Sequence, residues 1–325
     1  MCQGKENECL YQQLESILIE ANQHNAELIE RILRLKRQRN AIILAHNYQL
    51  GEVQDIADFV GDSLGLSRTA AKTEADVVVF CGVHFMAEIV SILCPDKISL
   101  LPDANAGCPM ADMITAERLR EEKKHHPGAT VVCYINSSAA VKAESDICCT
   151  SANAVRVVES LDAEEILFIP DQYLSHYIST KVRKRIIPWP GFCSTHIRIQ
   201  PQDIITLRQE HTQAKVLIHP ECRPEVIALA DEVLSTGGMC RFANETETRE
   251  LIIGTEIGII HRLRKENHDK KFIPASDQAI CPRMKLITLE NILWALEEMT
   301  TEIKVPEEVR LKAKAAVDKM LESSI

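Results

Sequence analysis

No stretch of the 325 residues approaches ~18 consecutive apolar positions, so no ordinary membrane-spanning helix is expected. The opening "MCQGKENECLYQQLESILIE" lacks a basic segment leading into an apolar one, and no secretory leader is read there. The expectation is a soluble, cytoplasmic protein. Aromatic residues make up only 4% and the net charge is −10. No basic stripe is interleaved with stacking side chains, which argues against a nucleic-acid partner. The one basic cluster, "RILRLKRQR" at 31–39, closes a helical pattern and complements the helix dipole on a solvated face. No C-x-x-C pair occurs, which weakens any zinc reading. Twelve cysteines are nevertheless present, and in a long chain without a leader they read as reduced thiols or metal ligands rather than disulfides.

Short apolar runs alternate with amphipathic segments. "NAIILAH", "ADVVVFCG", "KISLLP", "ATVVCYIN", "EEILFIP", "KRIIPWP", "AKVLIHP", "ELIIGTE" and "KKFIPA" read as strands, with segments such as "HFMAEIVSIL" and "TAERLREEKKHH" between them as helices. That alternation predicts parallel sheets built from βαβ units. A long helix or helix pair is expected over residues 8–38, and "TLENILWALEEM" and "PEEVRLKAKAAVDKML" predict two more at the end, the second opened by Pro306.

An internal repeat organises these elements. "ADFVGDS", "SDICCTS" and "ADEVLST" each carry Asp second and end on a hydroxyl: Ser63, Ser151 and Thr236, spaced by 88 and 85 residues. Upstream, a strand ends in a polar turn marked by His46, Asn136 and His219, 17, 15 and 17 residues before the hydroxyl. Downstream, one cysteine follows the last strand of each unit: Cys108, Cys193 and Cys281, 45, 42 and 45 residues after it. Units of 40–125, 126–210 and 211–290 are expected, between an N-terminal helical segment, 1–39, and C-terminal helices, 291–325. Ligands of open α/β sheets gather at the carboxyl ends of strands. Three such units about a pseudo-threefold axis would bring three thiolates together. Three rather than four suit an iron–sulfur cluster with one iron free to act as a Lewis acid. Any single cysteine can equally be a small buried apolar residue, the reading given to Cys81, Cys94, Cys133, Cys148 and Cys149. Cys2, Cys9, Cys222 and Cys240 have no counterpart in the repeat.

"LAHNYQ", "VGDSL", "YINSSAAVKAESDICCTSANA", "GFCSTH", "HPEC", "STGGM", "GTEIGIIHRL" and "ICPRMK", in order over residues 41 to 300, resemble the quinolinate synthase family. The resemblance implies three homologous αβα domains around a pseudo-threefold axis and a [4Fe–4S] cluster held by Cys108, Cys193 and Cys281. It implies condensation of iminoaspartate with dihydroxyacetone phosphate to quinolinate, with loss of phosphate and water, in NAD biosynthesis. An L-aspartate oxidase would be the supplier of iminoaspartate. Carried over by position, substrate contacts fall on His46, Ser63, Tyr134, Asn136, Ser151, His219, Glu221 and Thr236, and catalytic roles on His46, Tyr48, His219 and Glu221. Gln278 stands where some members carry a further cysteine, which leaves the three ligands intact.

These residue types suit that chemistry. The substrates bring two carboxylates and a phosphate, and each hydroxyl opens a helical stretch whose N–H groups favour anions; the bland alternative is an ordinary helix cap. The glycines of "STGGM" would let backbone approach phosphate. Isomerisation, carbon–carbon bond formation and dehydration need acids and bases, with Glu221 the leading base. His196 reads as a structural residue or a substrate contact, and Glu256 as a strand-end carboxylate directed at the site. A hydro-lyase of the aconitase type would need no phosphate cradle or threefold repeat, and an iron–sulfur carrier or sensor would need ligands without the His, Tyr, Asn and Glu constellation.

Overall fold

The computed structural model describes residues 23–323. A helix over 23–38 leads in, with Leu28 and Ile32, one turn apart, buried. The part of the expected N-terminal helix before residue 23 lies outside the described residues, as do Cys2 and Cys9.

Twelve strands form three four-stranded, all-parallel sheets of one topology. The first sheet contains β1 (Ala41–His46), β2 (Phe59–Gly61), β3 (Val77–Cys81) and β4 (Ile98–Leu100), ordered β2-β1-β3-β4. The second has β5 (Thr130–Tyr134), β6 (Ile147–Cys149), β7 (Glu165–Ile169) and β8 (Arg185–Pro188), ordered β6-β5-β7-β8. The third has β9 (Lys215–Ile218), β10 (Glu232–Val233), β11 (Glu250–Gly254) and β12 (Lys271–Pro274), ordered β10-β9-β11-β12. The α/β class with three αβα units is the one expected. All nine expected strands are present. The other three, β2, β6 and β10, are edge strands of three, three and two residues, too short for a periodicity to register.

Those edge strands lie inside the repeated segments, and they explain the repeated aspartate. Asp58, Asp146 and Asp231 each precede the edge strand and reach across to the neighbouring first strand. Their carboxylates accept the N–H of Ile43, Val131 and Val216 at 2.8, 2.8 and 2.7 Å. Each thereby satisfies an amide at the start of a sheet that would otherwise lack an acceptor.

The inner strands are apolar without alternation because helices cover both faces. Val216, Ile218 and Ile252 face one side of the third sheet, and Leu217, Leu251 and Ile253 the other. The first two sheets share a single core, closed by the helices Leu289–Glu298 and Glu307–Glu322. The latter packs on β6 and on the helices Ala139–Lys142 and His84–Leu93, clamping the first unit to the second. Pro306 stands at its cap, just outside the first turn. Among the described residues no helix is long and apolar enough to cross a membrane.

Candidate active site

The carboxyl ends of the three first strands border one cavity. Counted from the strand amides that the repeated aspartates hold, His46, Tyr134 and His219 occupy equivalent positions, and so do Tyr48, Asn136 and Glu221 two residues on. All six line the cavity. The pairing of Asn136 with the two histidines is therefore corrected by two residues, and the distance to the hydroxyl is 17 in every unit. Tyr134 continues an apolar run, so the first polar side chain after it was taken for the equivalent.

Ser63, Ser151 and Thr236 line the same cavity, and none of them is the local cap. The preceding residue caps the helix in the first and third units, whereas Ser151 lies in a turn ahead of the helix Ala154–Ser160 and does not open a helix as expected. Asp62 accepts the Gly65 N–H at 2.8 Å, Ser235 Oγ accepts Gly238 at 3.1 Å, and Thr150 Oγ1 accepts Ala152 at 3.2 Å. The following hydroxyl is released from capping, and Thr236 Oγ1 accepts from Asn47 Nδ2 at 3.0 Å. Gly237 has a reason other than phosphate approach: a Cβ there would sit 2.4 Å from Asp62 Oδ2. The absent side chain lets the first and third units meet.

Glu221, buried at 3% exposure, is the electrostatic centre. Burial alone would raise its pKa, but His196 and His219 beside it and the Tyr134 hydroxyl that donates to it hold the carboxyl well below its usual range. Its Oε2 lies 2.8 Å from His196 Nδ1. His196 Nε2 is 2.8 Å from Thr255 Oγ1, which lies 2.5 Å from the Tyr48 hydroxyl. A chain of polar groups thus runs from Tyr134 through Glu221, His196 and Thr255 to Tyr48, crossing all three units. His196 stacks on His219 with centroids 4.6 Å apart. Burial drives the pKa of both His46 and His219 down to about 3, against the opposing pull of Glu221. Both rings are therefore neutral. In each, Nδ1 accepts the backbone N–H two residues on, Tyr48 at 3.2 Å and Glu221 at 3.3 Å, which leaves the proton on Nε2 as a donor.

Cys108, Cys193 and Cys281 share the cavity wall, and each thiol begins the same turn. The amides two and three residues on act on it: Met110 and Ala111, Thr195 and His196, Arg283 and Met284. A 3₁₀ turn starts at the third residue every time. Burial pushes all three thiols up, Cys108 to about 12. The described residues also contain one compact group able to hold a metal ion, Cys193, His196 and Glu221, with ligand atoms within 4.8 Å of one another. Cys81, Cys133, Cys148 and Cys149 are fully buried in strands, and Cys94 is buried at the end of a helix.

The family model described as quinolinate synthetase A protein matches residues 30–322. The chain belongs to this family. Among curated relatives, a quinolinate synthase of Dehalococcoides mccartyi strain CBDB1 is 62% identical, over 91% of this chain and 98% of its own length. One from Methanosarcina barkeri is 56% identical over 91% and 97%, and one from Thermodesulfovibrio yellowstonii 56% over 90% and 97%. As a quinolinate synthetase A protein the chain is an enzyme, and its cavity collects all twelve residues nominated as catalytic, substrate-binding or metal-ligating, but not Glu256. Three residues escaped or were undervalued. Thr255 links Tyr48 to His196 and carried no signal beyond adjacency to Glu256. Asn47 joins Thr236 to Arg262, and His196 is central rather than peripheral. Glu256, expected to face the site, is fully buried behind it and is absent from the cavity wall.

Proposed function

We propose that the chain joins iminoaspartate to dihydroxyacetone phosphate, releasing inorganic phosphate and two waters to form quinolinate. An L-aspartate oxidase is the class of enzyme that would supply the imine. The observation that supports this best is the convergence on one cavity of three hydroxyls, three polar strand ends and three cysteines, each trio at one repeat position.

The donor set fits a [4Fe–4S] cluster on Cys108, Cys193 and Cys281. Burial opposes a bare thiolate at each, while two backbone amides per sulfur favour the anionic form once a metal takes the proton's place. Buried Asn136 Oδ1 has no protein partner, as expected of an atom waiting for a ligand. When bound, such a cluster supplies one iron without a protein thiolate, a Lewis acid for a substrate oxygen. The alternative single-ion set of Cys193, His196 and Glu221 leaves Cys108 and Cys281, which stand at the same repeat position as Cys193, without a role, even though buried His196 Nδ1 has no well-formed hydrogen bond to Glu221 Oε2 2.8 Å away.

The remaining work falls to side chains. His46 and His219 offer neutral N–H donors to substrate carboxylates or the triose carbonyl, so they orient and polarise without adding charge. Ser63, Ser151 and Thr236 offer hydroxyls to the anionic groups at two helix starts and a turn. Glu221 takes protons from carbon or nitrogen when substrate displaces one of its donors, and Tyr134, His196 and Tyr48 carry protons along the chain of hydroxyls and ring nitrogens.

Anaerobically reconstituted protein should contain about four irons per chain and convert freshly generated iminoaspartate and dihydroxyacetone phosphate to equal amounts of quinolinate and phosphate. Cys193→Ala should hold no cluster, whereas Cys94→Ala should keep it. An intact cluster with no pyridine dicarboxylate formed rejects the reaction and leaves a carrier or sensor. Full iron in Cys193→Ala rejects the ligand set.

A further inference from the structure

The repeat extends to a position outside the cavity. Two residues beyond the third strand of each unit stand Val83, Asp171 and Glu256, after β3, β7 and β11. Asp171 and Glu256 are both fully buried. Glu256 Oε1 accepts the backbone N–H of Cys281 at 3.1 Å, and Oε2 accepts that of Gly258 at 2.7 Å. Lys285 stands 3.0 Å from Oε1 and also donates to the Tyr48 carbonyl, which ties the Cys281 loop to the first unit. Asp171 Oδ1 accepts the amides of Tyr173 and Leu174 at 2.8 Å each. Its Oδ2 is buried without a hydrogen-bond partner. Asp171 is also bridged to Gly191, two residues before that cysteine. Glu256 thus holds the cysteine amide of its own unit, whereas Asp171 reaches the Cys193 segment through the backbone bridge at Gly191. In the first unit Val83 has no acceptor to offer. The segment before Cys108 is held instead by the His84 N–H on Ala106 O at 2.7 Å, and Cys108 also borders a second, open groove with Asn105 and Asp112.

We propose that Glu256 is a positioning residue that fixes the Cys281 leg of the metal centre through that cysteine's own backbone amide, so that the Cys281 leg opens after the Cys108 leg. A buried amide held by a carboxyl keeps its cysteine in register whether or not metal is bound, since releasing it strands a buried donor. Cys108 lacks that restraint and borders the second groove, while all three cysteines are half-buried alike. The inference rests on the three-cysteine reading of the metal centre.

The test is a timed one on the anaerobic holoprotein. An iron chelator is added with a thiol-alkylating reagent, iron release is followed optically, and labelled peptides are quantified at intervals. In the wild type, Cys108 should be labelled before Cys281. Glu256→Ala should release iron about tenfold faster and bring Cys281 forward to the time of Cys108. Glu256→Gln keeps an acceptor oxygen and should restore the wild-type order, which a general loosening of the fold would not do. Asp146→Asn, at an aspartate far from any cysteine turn in sequence and bound to a strand amide, should leave the order unchanged. Simultaneous labelling of Cys108 and Cys281 in iron-loaded wild type overturns the proposal, as does an unchanged order in a folded Glu256→Ala protein. If the alanine variant does not fold, the wild-type order and Glu256→Gln still decide it. A wild type that takes up no iron rejects the three-cysteine reading and this inference with it.

Discussion

The first and third units end their leading strands alike, and the second does not. His46 and His219 are both buried, both held neutral, and both bonded through Nδ1 to the amide two residues on. The equivalent of both in the second unit is Tyr134, whose hydroxyl donates to Glu221 of the third. Two residues on, the trio is Tyr48, Asn136 and Glu221. One backbone position is therefore used three times with three different chemistries. A repeated scaffold sets where side chains converge, and its symmetry is broken only at the side chains, so the cavity wall is asymmetric.

The comparison breaks most sharply at the second position of the trio. Glu221→Gln removes the only carboxylate of the three and should lower kcat by about 10²–10⁴-fold, the span of general acid–base catalysis. Asn136→Ala, at the equivalent position, should act mainly on KM. Iron content and steady-state kinetics of both variants check this, and equal losses in kcat would mean that Glu221 only organises the wall.

A smaller effect separates the histidine units from the tyrosine unit. For His46 and His219 the folded pKa of about 3 lies below the ordinary value of 6.5. Between those limits the unfolded chain binds more protons than the folded one. Stability of the metal-free protein should therefore fall as pH drops from about 6.5 towards 3. Urea unfolding at several pH values should show this acid limb, flattened by one histidine's share in His219→Asn. Tyr134→Phe should leave the limb in place, because a tyrosine does not titrate there.

The smallest expected change sharpens the symmetry itself. Asp58, Asp146 and Asp231 make the same bond to the same strand position. Replacement by Asn should cost about 1 kcal/mol at each, read from denaturant midpoints. KM should not move. Unequal costs would show that the three sheets do not share the bond's worth, with Asp146→Asn the reference because its sheet lies in the core common to the first two units.

Much of this was legible in the sequence because it follows from local rules. Continuous apolar runs announce strands buried on both faces, and a repeated spacing of Asp, hydroxyl and cysteine announces three copies of one unit. All twelve nominated site residues line one cavity for that reason. Less was legible where the signal lay in a partner distant along the chain. Thr255 gains meaning only beside Tyr48 and His196, and Glu256 reads as a site carboxylate until its bond to the Cys281 amide is seen. The two-residue shift in the second unit was hidden because a tyrosine at a strand end looks like one more core residue.

The sequence by itself determined the α/β units, their number, the cysteine of each and the hydroxyl of each, because these depend on periodicity and on spacing within one unit. Only the tertiary structure decided which hydroxyls are free of capping, that both histidines are neutral donors, and which carboxyl lines the cavity and which faces a cysteine amide. Those outcomes depend on desolvation and on partners contributed by other units. Burial by a neighbouring sheet can move a histidine from pKa 6.5 to about 3 without any change in the residues around it in the chain.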